Sequence, residues 1–130
     1  MKKALVLMFL AGGLIGCAVQ RPVATAHQSH LDAADTLATD EPAELREVYR
    51  AGNRFFSRGK LDRALIEYDY AAYDGSAAAM LRLCILHAHD DWGLLDPPRA
   101  LFWCNQSARR GYRPAAQIAT YLFNTYWQEE

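Results

Sequence analysis

The chain has 130 residues, of which 52% are apolar, and a formal net charge of −1. This length accommodates one small domain. Without Lys2 and Lys3, 12 basic side chains face 15 acidic ones, which excludes the basic footprint that nucleic-acid binding requires.

Met1-Lys2-Lys3 is a short cationic start, and Ala4 to Leu14 is an apolar run. A helix that spans a bilayer needs roughly 20 apolar residues, so residues 1–16 read as a secretory signal peptide. Leu14-Ile15-Gly16-Cys17 resembles the bacterial lipobox, in which the cysteine is lipidated and becomes the new N-terminus. The resemblance implies lipidation of Cys17 and stable anchoring, because several acyl chains hold where one is marginal. Ala18 stands where many inner-membrane lipoproteins carry aspartate. The implied location is therefore the outer membrane, facing the periplasm. Residues 17–41 are rich in Ala, Thr, His, Gln and Asp and are expected to form a flexible, lipid-anchored linker with a reach of about 25 Å. His27 and His30 sit three apart, but without a third metal ligand they read as polar linker residues.

Residues 42–127 are expected to fold. The first predicted helix starts at Asp40-Glu41-Pro42, an acidic cap candidate followed by a helix-compatible proline, and runs to Ser57. Its inner stripe is Val48, Ala51, Gly52, Phe55 and Phe56. The second opens at Leu61, with Ala64, Leu65, Tyr68, Ala71 and Ala72 facing in. The third spans Ser76 to Ala88, with Met80, Leu83, Cys84 and His87 inside. Asp96-Pro97-Pro98 caps the fourth, which Gly111 stops. The fifth starts at Pro114 and carries Ile118, Ala119, Leu122, Phe123 and Tyr126. No stretch alternates like a half-buried strand, so the class is all-α, with about five helices in antiparallel hairpins.

Ala64 and Ala100, Gly75 and Gly111, and Ala79 and Ala115 are matched at one spacing along the chain, an internal repeat. Gly52, Phe55, Gly59, Ala64, Tyr68 and Ala71 resemble a tetratricopeptide repeat. Ala79, Leu83, Asp96, Ala100, Trp103, Ala108, Gly111 and Ala115 are similar to the longer-looped Sel-one-like repeat. Cys84 and His87 depart from that pattern's glycine and tyrosine, and Asp90-Asp91-Trp92-Gly93 from its G-x-G loop. The resemblance implies a short solenoid of two repeats plus a capping helix. In an oxidising compartment Cys84 and Cys104 either form a disulfide or remain buried thiols.

No phosphate loop, nucleophile elbow or HExxH motif is present, and the reading calls for no enzyme activity, cofactor or metal. His87 and His89 diverge on a helix, and Asp90-Asp91 reads as a solvated loop. The resemblance implies a partner-binding groove of Arg46, Tyr49, Arg50, Asn53, Arg82, Ile85, His89, Gln117 and Tyr121. Its arginines and tyrosines suit an extended peptide, a chain terminus or an acidic polymer. The repeats and anchor imply an adaptor for a periplasmic or outer-membrane protein. The alternative is an immunity protein that neutralises a toxin, and a cell-wall enzyme is the weakest reading.

Overall fold

Glycine and proline punctuate the chain where its turns fall. Residues 22–128 are described by a computed structural model, and six helices without a strand lie among them. They are α1 (Pro22–Ala38), α2 (Ala43–Ser57), α3 (Leu61–Tyr73), α4 (Ala77–Ala88), α5 (Pro97–Arg109) and α6 (Arg113–Tyr126). The protein is all-α. From α2 to α6 each helix packs on the next in sequence, and α1 folds back along α4. The expected signal peptide and lipidation at Cys17 lie outside the described residues.

The linker expectation needs correcting over Pro22–Ala38, which is helical and supplies the sixth helix. Leu31, Ala34 and Ala38 share a face and are buried in the core. Alanine lets two helix axes approach closely, so residues that resemble linker composition in isolation become interface residues against α4. Such a helix is held by packing more than by intrinsic propensity.

At the centre, α4 is buried over every residue from Ala78 to Ala88. A helix with no solvent face must be covered on every side. The covers are α3, α5, α6 and α1. Its start is fixed by Ser76, whose hydroxyl accepts from the Ala79 N–H at 3.1 Å. Glu41 completes this cap: Ser76 Oγ donates to its carboxylate at 2.7 Å, and the Ala78 N–H donates at 3.4 Å. The acid expected to cap α2 instead sits at the N-terminus of α4, where the helix dipole favours it. Pro42 precedes α2 without a side-chain cap.

The repeat spacing marks matched environments. Ala64, Ala79, Ala100 and Ala115 are all buried, while Gly75 and Gly111 both take positive φ, at 107° and 101°. Asp96 accepts from the Arg99 N–H to cap α5. Cys84 and Cys104 join α4 to α5 by a disulfide, with Cα atoms 4.7 Å apart. Phe123 and Tyr126, expected to face inward on the last helix, are about half exposed, and Ala115, Ala119 and Leu122 form its buried stripe instead.

Two outcomes are expected. Gly52 lies so close to Tyr68 that an added Cβ would stand 2.5 Å from the ring, and that ring is fully buried. Gly52→Ala should lower stability by about 1–3 kcal/mol in denaturant unfolding, as overpacking does, although alanine improves an ordinary helix. Replacing both Cys84 and Cys104 by alanine should cost about 3 kcal/mol by the same measurement, from the entropy regained by the opened loop.

Candidate functional site

The groove begins with one buried cation. Arg82 on α4 is 5% exposed, and a guanidinium cannot lose its charge at any physiological pH. Its Nη2 donates to Asp35 Oδ1 of α1 at 3.2 Å, and its Nε donates to the Tyr49 hydroxyl of α2 at 3.2 Å. The Tyr49 hydroxyl in turn donates to the same Asp35 oxygen at 2.5 Å, and Asn53 donates there at 3.1 Å. Tyr68 of α3 donates to the Asn53 carbonyl at 2.6 Å. Three donors from α2 and α4 thus converge on one carboxylate oxygen of α1.

Aromatic faces complete the surroundings. The Arg82 guanidinium carbon lies 5.3 Å from the Phe56 ring centre, 5.5 Å from Tyr68 and 5.8 Å from Tyr49. Burial works against the charge on Arg82, yet Tyr49, Tyr68 and Asp35 hold its pKa above the usual value. Burial pushes the Tyr49 and Tyr68 phenols well up, so both hydroxyls keep their protons as donors.

A second cluster clamps the other part of α1. The His27 ring stacks on His89 with centres 3.8 Å apart, and its Nδ1 pairs with the Asp91 carboxylate. Trp92 lies against both His27 and Phe56. His30 Nδ1 is hydrogen-bonded to the Tyr112 hydroxyl at 2.9 Å. His27 and His30 are therefore contact residues rather than linker residues. Among the described residues no group of three His, Cys, Asp or Glu is placed to hold a metal ion.

Of the groove residues expected from sequence, Tyr49, Asn53, Arg82, Ile85 and His89 are brought together around α1. Tyr49 and Ile85 are fully buried core, because α1 occupies the space where a partner was expected. Arg46 donates to the Glu41 carbonyl at 3.1 Å beside the α1–α2 turn. Arg50 is exposed on α2, and Gln117 and Tyr121 are exposed on α6. Asp35 is the residue that sequence reasoning missed. Its signal was the run Leu31-x-x-Ala34-Asp35-x-x-Ala38, whose spacing puts all four on one helical face.

A different surface lies on the outer side, where α3 meets α5. Tyr70 and Tyr73 are 70% and 76% exposed, and Phe102 is 47% exposed. Trp103 is buried behind them, edge-on to Tyr73 at 5.0 Å and to Phe102 at 4.8 Å. Asp69, Tyr73, Pro98, Arg99, Phe102 and Trp103 line a cleft of about 500 Å³. Burial raises the Asp69 carboxyl above its ordinary range, against the opposing pull of His87 and Arg99. This ledge was also missed, because Tyr70 and Tyr73 lie off the apolar stripe of their helix. No family model matches the chain, and no curated protein or solved structure matches it.

The histidine clamp carries a pH dependence. His30 is held below the ordinary histidine value by burial and then by His27. For His89 burial again comes first, with His27 and His30 adding to it and Asp91 opposing. The docked helix therefore binds fewer protons than the undocked one, and docking weakens as pH falls through about 6.5 and below. Amide exchange of α1 should show lower protection at about pH 5.5 than at about pH 7.5 once intrinsic rates are removed. Replacing both His30 and His89 by glutamine should flatten that difference.

Proposed function

We propose that the chain is a lipid-anchored helical-repeat adaptor. Cys17 carries the anchor in the outer membrane, and the folded part holds a periplasmic or outer-membrane protein of an envelope assembly. The observation that carries the reading is the aromatic ledge of Tyr70, Tyr73 and Phe102. Aromatic side chains around a rigid apolar centre are the usual anchors of protein interfaces, and Trp103 and its disulfide-joined neighbour Cys104 keep this ledge rigid. Asp69, Asp74 and Arg99 supply polar groups at its margin, as an interface rim requires. No described helix is long and apolar enough to cross a membrane.

The groove contributes in a different way. Pro22 follows Cys17 by only five positions, so a docked α1 would hold the domain close to its anchor. Release of the helix would extend the reach.

The test is a cross-linked pull-down of the lipidated, full-length chain from its own cells, with Tyr73→Ala and Phe102→Ala beside wild type. Loss of one interface anchor costs about 2 kcal/mol or more, roughly thirtyfold in affinity. The partner should therefore drop out of both variants while their melting stays like wild type. Equal recovery from all three would exclude the ledge. A single toxin-like protein bound one to one would turn the role to neutralisation.

A further inference from the structure

We propose that the cleft filled by α1 is a helix-binding site, occupied in cis by residues 22–38 and open in exchange to a partner helix that presents Leu-x-x-Ala-Asp-x-x-Ala along one face. This rests on the adaptor reading and supplies the chemistry of its partner. The cis helix is the template. A leucine fills the Leu31 position, small residues at positions 34 and 38 permit close approach to α4, and a carboxylate at position 35 meets the three donors of Arg82, Tyr49 and Asn53.

The two sides of this contact are unequal. The wall is deep core: Tyr49, Leu81, Ile85 and Ala88 are buried together with the Arg82 cation. Leaving it bare would expose that apolar surface and strip the guanidinium of its carboxylate, so the site is one of exchange between helices. The plug itself is slight. It buries one leucine and two alanines fully, with Ala33 and Leu37 partly covered. The Asp35 side chain remains 49% exposed. A short turn over residues 39–42 connects it to α2, so another helix can take its place while the hairpin connections stay intact. Helices that bury little and expose their polar contacts belong to the low-stability end of a structure. The tether gives the cis copy an effective concentration in the millimolar range for a short linker, so a partner must match this chemistry more fully.

The experiment uses the full chain and a fluorescent peptide with the sequence of residues 22–38, read by anisotropy. Leu31→Ala with Asp35→Lys weakens the cis plug, and this variant should bind the peptide at least about tenfold more tightly than wild type, as expected when a tethered competitor is removed. A peptide carrying Asp35→Lys should bind at least about tenfold more weakly, having lost its charge-assisted hydrogen bonds. Where the double variant loses its cooperative melt, Leu31→Ala alone replaces it and keeps the Arg82 pair. No peptide binding to a folded, weakened variant overturns the proposal. A dimer of the wild-type chain that dissolves when peptide is added also overturns it, because the site then belongs to a second copy. Peptide binding without any envelope protein cross-linked to the lipidated chain removes the adaptor reading and leaves the helix site. A cross-linked partner without peptide binding does the reverse.

Discussion

The structure depends on the charge of Arg82. A permanently ionised group in a core loses its hydration, and what is returned must come from fixed neighbours. Here these are one carboxylate oxygen, one phenol and three ring faces, drawn from α1, α2 and α3. The pair is asymmetric, since the Arg82 side chain is 6% exposed and that of Asp35 is 49% exposed. Water therefore screens the carboxylate side. The interaction is worth less than a fully buried bridge, yet taking Asp35 away would leave a buried cation without its counter-charge. This is why α1 is part of the fold.

The core that results is narrow and built largely of alanine around one helix buried from Ala78 to Ala88. Alanine contributes little apolar area per residue, about one methyl group's worth, so the covalent and polar ties carry more than usual. The disulfide holds α4 to α5, and Glu41 ties the α1–α2 turn to the first residues of α4. His87 reinforces the α4–α5 loop through a bond from its ring to the Leu94 carbonyl at 2.9 Å. Each tie ends on α4.

On the adaptor reading, the two surfaces divide the work. The outer ledge is exposed, its aromatics stand on α3 and α5, and Tyr73 and Phe102 lean on the buried Trp103, which makes it rigid. The groove is occupied, and its occupant is attached by a short turn and a clamp of imidazoles. A rigid surface suits standing contact with a partner, whereas a helix that buries few side chains fully over a buried charge suits exchange. On the same reading the helix also lies between the proposed anchor at Cys17 and the rest of the domain in the chain, so its docking bears on how far that domain reaches.

Local rules were sufficient for much of the chain. Proline and glycine positions, the Asp96 cap and the 3.6-residue apolar stripes defined five helices, because those signals act within one turn of backbone and need no distant partner. The matched alanines marked buried helix contacts, and the matched glycines marked turns of positive φ. Tertiary structure alone decided the sixth helix. Leu31, Ala34, Asp35 and Ala38 carry too little apolar area to define a helix alone, and they gain their role when α4 offers a buried cation and an uncovered face. It likewise moved Tyr49 and Ile85 from a groove surface into the core. A side chain's pattern fixes which way it points from its helix, and only the packed neighbours determine what covers it.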